Sequence, residues 1–323
     1  MRSVVGISGL QAGEDVNDAL LERIASALER IASALEAAPA PQPPPPPPSP
    51  PPSPSPPQPT ALPQGQSLID YLAARNIRPR DPIAAQPQEE NGEADLDALA
   101  WLIGERWANV RPLIEAVKAR LSSGDALSLN LRGQGEAVIS DACAIAHRAH
   151  ALGLLEEYRY HRSPVRRLDA RPSRAPVAQR FWAGGWLERW ARQVALRAVA
   201  QLRPGAACAW LANLPVILPT GEGSEIDFLL AVDSTIVWIE TKSGDYQEHL
   251  DKYSRVRRML GLPSSNAIIL LAHPQAPHRA LSGLYALTVC GLDEFPARVA
   301  LALGENEKSA ASTSPENEKT PAE

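Results

Sequence analysis

The sequence has 323 residues, a formal charge of −5 at pH 7 and 44% hydrophobic residues, which is enough apolar material for one large domain or two ordinary ones. No apolar run approaches the roughly 18 residues that a membrane-spanning helix requires, and the N-terminus lacks the pattern of a secretory signal. The three cysteines lie far apart, which argues against a disulfide framework or a zinc site. We therefore expect a soluble, cytoplasmic protein without membrane contact.

The first 38 residues carry a seven-residue repeat, since ERIASAL occurs at residues 22–28 and again at 29–35. Leu and Ile recur along this stretch at spacings of three and four, a pattern typical of a coiled-coil seam. We predict an oligomerisation helix in residues 1–38, with self-association into a homo-oligomer through residues 14–37. The alternative is an amphipathic helix that packs on the body of the same chain.

A proline-rich segment follows, in which 16 of the 32 prolines lie between Pro39 and Pro63, mixed with Ser and Gln. This composition cannot form a packed core and favours an extended, disordered linker, which we place at residues 39–66. The final segment, residues 304–323, contains no large apolar side chain and is predicted to be a disordered tail. Residues 67–303 therefore remain to form the fold.

The region 67–180 is mainly helical in pattern, with a short hairpin near its end. The candidate helices cover residues 67–75, 94–104, 107–121 and 135–152, and the candidate strands are ALSLNL, LLEEYRYH and VRRLDA. The last two strands form a plausible hairpin across RSP at residues 162–164. Helices followed by a small hairpin suit a winged-helix-like, nucleic-acid-binding region.

Arginine is concentrated between Arg159 and Arg180, where seven arginines and His161 accompany a single acid, Asp169. In a chain that is acidic overall, such a stretch favours contact with a phosphate backbone. The residues that we expect to make this contact are Arg162, Arg166, Arg167, Arg171 and Arg174. The alternative is a solvated surface whose arginines pair with carboxylates elsewhere in the fold.

An α/β domain is predicted for residues 181–303. The expected order is a helix over residues 183–202, three strands over 207–218, 225–232 and 235–242, a helix over 245–261 and a strand over 266–272, followed by a further strand and a closing helix. Gly184 and Gly185 mark the start of the first helix. Asp233 and Ser234 supply a tight turn between the second and third strands.

Ionisable residues interrupt these otherwise apolar second and third strands. Because side chains alternate across a strand, Glu225, Asp227 and Leu229 should share one face of the second strand. Glu240 and Lys242 should share one face of the third. A hairpin would place Asp227 beside Glu240, and two carboxylates this close require a cation between them. Hard oxygen ligands suit Mg²⁺ or Mn²⁺, so the residues predict a metal-dependent hydrolytic site.

An acid on the second strand followed by Glu-x-Lys on the third resembles the PD-(D/E)xK nuclease superfamily, whose restriction-endonuclease-like core runs helix, three strands, helix, strand. With GGWLE on the preceding helix, then EID and ETKSG, the chain is similar in particular to the nuclease domain of CRISPR-associated proteins that carry a CARF sensor. The resemblance covers residues 181–272. The sequence contains no pair of βαβ units suited to that sensor, so we do not expect activation by cyclic oligonucleotides.

The resemblance implies an endonuclease that hydrolyses phosphodiester bonds in defence against foreign nucleic acid, with DNA as the expected substrate and RNA as the alternative. The implied catalytic residues are Glu188, Asp227, Glu240 and Lys242. Asp227 and Glu240, with the carbonyl of Thr241, would hold Mg²⁺ or Mn²⁺. Glu188 would orient the attacking water or a second ion, and Lys242 would stabilise charge on the phosphate. The alternatives are a binding module without turnover and a nucleic-acid-binding scaffold or regulator gathered by the N-terminal coiled coil.

Overall fold

The computed structural model describes residues 67–81, 93–273 and 278–304. Every described residue belongs to one compact unit within residues 54–323. Three predicted segments lie outside the described residues and stay predictions: the coiled coil of residues 14–37, the linker of residues 39–66 and the tail beyond residue 304.

Helices dominate the first half of the described chain, and the second half contains helices and strands in similar measure. The first half contains α1 (Leu68–Ala73), β1 (Arg78–Pro79), α2 (Glu93–Glu105), α3 (Trp107–Lys118), β2 (Leu127–Asn130), α4 (Glu136–Ala151), β3 (Leu155–His161), β4 (Arg167–Pro172), α5 (Pro176–Arg180) and a π-helical turn (Phe181–Gly185). The second half contains α6 (Trp186–Leu202), β5 (Cys208–Ile217), β6 (Gly223–Val232), β7 (Thr235–Lys242), α7 (Leu250–Leu260), β8 (Ala267–Leu271), α8 (His278–Tyr285), β9 (Thr288–Gly291) and α9 (Phe295–Ala302).

A six-stranded mixed sheet with the strand order β1-β5-β6-β7-β8-β9 forms the centre of the mixed α/β fold. The first four strands of this order pair in antiparallel fashion, whereas β8 and β9 extend the sheet in parallel. Parallel neighbours need crossover connections, which contain α7 and α8. The turn from β6 to β7 is the predicted Asp-Ser turn, since Val232 pairs with Thr235 and Asp233 has a left-handed φ of 51°.

Helices lie on both faces of this sheet and create two hydrophobic clusters. The α6-side cluster joins residues of α6 and α9 to Phe228, Leu230 and Ile239 of the central strands. The α7-side cluster joins α1 and α7 to the alternate residues, such as Leu229 and Trp238. Strands buried on both faces therefore explain why β6 and β7 are apolar along most of their length. The α6-side cluster also includes α2, α3 and α4, so the helical region and the large sheet share one core.

The alternation of faces is broken once, at Asp227. Ile226 belongs to the α7-side cluster and Phe228 to the α6-side cluster, although residues two apart on a strand should share a face. The paired strand β5 shows the same change on either side of Asn213, which has a left-handed φ of 50°. The strict alternation assumed from the sequence is therefore wrong at this point. Asp227 lies at the break, where side chains from both helix layers can approach it.

A second sheet, three-stranded and antiparallel with the order β2-β4-β3, lies within the helical region. Its β3–β4 hairpin was predicted, and the pairing of His161 with Arg167 leaves residues 162–166 as the loop. By contrast, α1 and β1 pack with the large sheet, because Leu72 and Ile77 belong to the α7-side cluster and β1 pairs with β5. Residues 67–80 thus attach to the six-stranded sheet rather than to the three-stranded one.

The helices and strands predicted from residue 67 onward are present, with ends that differ by a few residues. Several observed elements were not predicted and carry weak sequence signals: β1 has two residues, one of them a proline, α5 has only five residues, and α8 contains Gly283. Over residues 67–81, 93–273 and 278–304, no helix combines the length and the apolar character needed to cross a membrane.

Gly104 should be required for the packing of α2 on α6. A Cβ atom at this position would lie 2.1 Å from the buried ring of Trp190, so Gly104→Ala should lower the free energy of unfolding by about 1–3 kcal/mol. In α8, a Cβ at Gly283 would meet no atom within 4 Å, and the control Gly283→Ala should raise stability by up to about 1 kcal/mol. Urea denaturation measures both changes, and equal stability of the two variants would contradict this packing.

Candidate active site

Three of the predicted residues meet where β7 ends. The Nζ atom of Lys242 lies 2.8 Å from Oε1 of Glu240 and 4.0 Å from Oδ2 of Asp227, so one ammonium group pairs with two carboxylates. The side chains are largely buried, with exposed fractions of 25% for Lys242, 10% for Asp227 and 5% for Glu240. The predicted approach of Asp227 to Glu240 is thus observed, and the single charge of Lys242 can offset only one of the two negative charges. Despite burial, the two carboxylates raise the pKa of Lys242, which keeps its charge.

Asp227 is fixed by the neighbouring residue of β7. Thr241 donates its backbone N–H to Oδ2 of Asp227 at 2.9 Å and its hydroxyl to the same oxygen at 3.3 Å. These donors satisfy a carboxylate that would otherwise be costly to bury. Burial raises the pKa of Asp227, while Lys242 and the hydrogen bonds from Thr241 oppose this rise. Thr241 was predicted to contribute its carbonyl oxygen to a metal site, whereas its contacts with Asp227 use its N–H and its hydroxyl.

Glu240 has a raised pKa and a buried oxygen that could bind a cation. Burial and the charge of Asp227 raise its pKa to about 8, although Lys242 opposes the shift. Its Oε2 atom is buried and has no hydrogen-bond partner among the described residues. Such an atom costs free energy in the folded protein, and a divalent cation with oxygen ligands would satisfy it.

Metal ligands at this position would be few. Within the described ranges, no group of three or more His, Cys, Asp or Glu side chains is arranged to hold a metal ion. A cation here would therefore depend on Asp227 and Glu240, completed by main-chain oxygens and water, as is common for Mg²⁺.

Glu188 approaches the same charges from the α6 layer. It lies in the first turn of α6, between the buried side chains of Leu187 and Trp190 that anchor the helix. Burial, followed by the charges of Asp227 and Glu225, raises the pKa of Glu188 to about 7. All four predicted catalytic residues are therefore brought together, although Glu188 stands more than thirty residues before the strands that carry the others.

Tyr253 of α7 belongs to the site and was missed by the sequence analysis. It hydrogen-bonds to Glu240, and its ring centroid lies 5.5 Å from Nζ of Lys242. Burial and the charge of Glu240 raise the pKa of Tyr253, so the phenol remains a hydrogen-bond donor. A signal was present, because the buried positions of α7 recur at helical spacing and include this tyrosine, whose hydroxyl requires a partner when buried.

A three-segment contact, formed by Lys118, Ser243 and Ala183, borders the site and was also missed. Lys118 at the end of α3 donates to the carbonyl oxygen of Ser243 at 2.6 Å and to its hydroxyl at 2.9 Å. The Ser243 hydroxyl donates in turn to the carbonyl oxygen of Ala183 at 2.7 Å. Ser243 follows Lys242, and Ala183 lies just before the helix of Glu188. The contact therefore ties together the two segments that carry Lys242 and Glu188.

The arginines predicted to contact nucleic acid lie on the three-stranded sheet and its flanks, away from the strands of the carboxylate site. Four have partners: Arg166 with Glu136 at 3.7 Å, Arg167 with Asp169 at 2.9 Å, Arg171 with Glu157 at 3.2 Å and Arg174 with the Ser123 carbonyl at 2.6 Å. Arg162 forms no ion pair with any described residue and is exposed. The alternative of arginines paired with carboxylates thus applies to part of this stretch.

The solved structures that are similar to the chain include two proteins, VC1899 and Can2. Protein VC1899 from Vibrio cholerae matches with a TM-score of 0.48 and 20% sequence identity, over 75% of this chain and 62% of that one. Can2 from Sulfobacillus thermosulfidooxidans, solved in complex with cyclic tetra-adenylate, matches with a TM-score of 0.48 and 12% identity, over 74% of this chain and 60% of that one. No protein-family model and no curated protein sequence matches the chain. The chain spans about three fifths of the length of each of these two structures.

Stability in the absence of divalent metal should fall as the pH rises from about 5 to about 8. The folded-state pKa values of Glu188 and Glu240, about 7 and about 8, lie above the value of about 4.3 in an unfolded chain. The folded state therefore holds more protons, and the stability that they contribute is lost as the pH rises through the folded values.

Urea denaturation between pH 5 and pH 8 measures this slope. Glu240→Gln removes one of these titrations and should flatten the slope. Glu222→Gln, at an exposed position just before β6, is the control and should keep the slope of the original protein. An unchanged slope in Glu240→Gln would show that Glu240 is not protonated in the folded state.

Lys118→Met should loosen the segment after β7. The substitution removes both donors to Ser243 and leaves its carbonyl oxygen poorly satisfied, which should lower local stability by about 1–3 kcal/mol. Amide hydrogen exchange should then be faster at residues 243–245 and at 183–186. Arg120→Met, at an exposed neighbouring position, is the control, and identical exchange in both variants would exclude a holding role for Lys118.

Proposed function

We propose that the chain is a Mg²⁺- or Mn²⁺-dependent nuclease of the PD-(D/E)xK type that hydrolyses phosphodiester bonds of nucleic acid, with DNA preferred to RNA. One observation carries the proposal: a single lysine pairs with two buried carboxylates, one of which retains a buried oxygen without a partner. Such an arrangement is a poor source of stability, since burying charges is costly, and perturbed charges of this kind concentrate at functional sites. The order α6, β5–β6–β7, α7, β8 supports the assignment, because it is the order of that superfamily's core.

Asp227 and Glu240 are the residues that would hold the divalent ion, with the carbonyl oxygen of Thr241. The fit rests on the unpartnered Oε2 of Glu240 and on the preference of Mg²⁺ and Mn²⁺ for carboxylate oxygens. When bound, the ion would polarise the phosphate and offset its negative charge. Thr241 and Tyr253 hold the two carboxylates in place through hydrogen bonds to Asp227 and Glu240.

Lys242 and Glu188 supply the remaining chemistry. Lys242 keeps its proton and presents a cation on a flexible stem, which suits it to stabilise the charge that develops on a phosphate oxygen. Glu188, with a pKa raised to about 7, is matched to accepting a proton from the attacking water near neutral pH. Glu188 approaches from α6 and Lys242 from the end of β7, so the substrate phosphate would lie between these two elements.

Alanine substitutions of Asp227, Glu240 and Lys242 should each reduce cleavage by about 10²-fold or more, because a lost ligand or transition-state cation typically costs this much. The assay incubates plasmid, linear and single-stranded DNA, and RNA, with Mg²⁺ or Mn²⁺. Lys252→Ala, which alters a lysine of α7 outside the site, should retain full activity. An unchanged cleavage rate in Glu240→Ala would contradict the proposed active site. Binding of every substrate without cleavage in either metal would contradict the proposed nuclease function.

Metal binding has a readout that does not depend on activity. At pH 8, MgCl₂ or MnCl₂ should raise the melting temperature of the protein, because a cation that binds only the folded state stabilises it. Glu240→Gln should weaken this response, since it removes one of the two carboxylates available to the ion.

A further inference from the structure

Three arginines outside the candidate active site line one open cleft of about 470 Å³ at the tip of the β3–β4 hairpin. Arg162 and Arg166 stand at the two ends of the hairpin loop, and Arg132 follows strand β2. Gly133, Ser163 and Pro164 complete the lining, and no acidic side chain of the described residues contributes to it. We call this feature the arginine cleft. Arg132 was not among the contacts predicted from the sequence.

The positive charge of the arginine cleft is poorly neutralised. Arg166 lies 3.7 Å from Glu136, but the side chains are 47% and 81% exposed, so this pair is weak. Arg132 and Arg162 form no ion pair with the described residues. By contrast, Arg167 in the adjoining strand is neutralised by Asp169 at 2.9 Å. In a protein whose net charge is −5, three like charges gathered in one cleft indicate an anionic ligand.

Main-chain contacts assemble the arginine cleft. The backbone N–H of Leu131 donates to the carbonyl oxygen of Arg166 at 2.8 Å, which joins the segment after β2 to the hairpin loop. The backbone N–H of Arg132 donates to the side-chain oxygen of Asn130 at 3.0 Å, which sets the turn that carries this arginine. Arg132 is thereby held beside two residues that are distant in sequence.

The backbone of Arg166 is costly for an arginine. Its φ of 43° lies in the left-handed region, where a side chain other than Gly or Asn costs about 1–2 kcal/mol. Gly or Asn would close the same hairpin loop without this cost. The presence of arginine therefore favours a role for its guanidinium group rather than for its backbone.

We propose that the arginine cleft is a binding site for phosphate groups of a nucleic-acid backbone, remote from the carboxylates and without base readout. This inference rests on the proposed function for the identity of the ligand. Guanidinium groups bind phosphate oxygens through paired hydrogen bonds, and contacts to the backbone position a nucleic acid without reading its sequence. The site would therefore contribute affinity equally to all sequences.

The test measures binding to fluorescent single-stranded and duplex DNA by anisotropy, in EDTA, over a range of salt concentrations. Arg166→Asn should weaken binding by about 3- to 10-fold and lower the salt-dependence slope by about one unit, because one phosphate contact is lost. Its melting temperature should stay equal or rise, since asparagine tolerates the left-handed backbone. Arg132→Ala and Arg162→Ala should show similar losses of affinity. Arg258→Ala, at an exposed position of α7, is the matched control and should bind normally.

The outcomes separate this inference from the proposed function. The triple variant combines Arg132→Ala, Arg162→Ala and Arg166→Asn. Normal affinity and a normal salt-dependence slope in Arg166→Asn and in the triple variant would overturn the proposed binding site, whether or not the protein cleaves nucleic acid. An equal loss in Arg258→Ala would also overturn it, since any surface charge would then suffice. The protein could also bind DNA through the arginine cleft and yet cleave no substrate with Mg²⁺ or Mn²⁺. That result would support the binding site and contradict the proposed nuclease function. Binding of inorganic phosphate to the arginine cleft, without binding of DNA, would assign the arginine cleft to a free anion and overturn the proposal.

Discussion

The pairing of Lys242 with the two buried carboxylates of Asp227 and Glu240 is the interaction on which the arrangement of the surrounding strands depends. Each of the three charges would be costly to bury alone. Lys242 stabilises both carboxylates and is kept charged by them, whereas the two carboxylates repel each other, which contributes to the raised pKa of Glu240. The geometry depends on the register of the β6–β7 hairpin, because a slip of one residue would turn the side chains to the opposite face. The two-residue turn at Asp233 fixes that register, and the hydrogen bonds from Thr241 to Asp227 secure it at the other end.

The helical region contacts the end of the large sheet at which the charges of Asp227, Glu240 and Lys242 lie. Besides the contact of Lys118 with Ser243, Trp107 at the start of α3 donates its ring N–H to the carbonyl oxygen of Ala272, just beyond β8. The Trp107 ring also stacks on Trp186 at the start of α6, with centroids 4.9 Å apart. One helix outside the six-stranded sheet thus touches the ends of two strands and the helix of Glu188. The surroundings of the site are therefore completed by residues that the sheet and its own helices do not supply.

Local sequence patterns were sufficient for much of the fold and for the central charges. The Asp-Ser turn, the apolar strands and the Glu-x-Lys spacing are all set by near neighbours, so the approach of Asp227 to Glu240 could be predicted. Lys118 and Arg132 reach their contacts through tertiary packing, and no spacing in the sequence relates them to Ser243 or to the hairpin. The break in alternation at Asp227 was equally hidden, because it depends on the left-handed backbone of Asn213 in the paired strand.

The hydrophobic core that runs from α2, α3 and α4 into α6 also includes residues of the three-stranded sheet, such as Leu127 and Leu168. Since packed side chains rather than a flexible linker join the two sheets, the separation between the hairpin and the carboxylates is set by the interior of the protein. A polymer bound at both the arginine cleft and the carboxylate site would therefore have a constant number of repeating units between the group in the arginine cleft and the group beside Lys242.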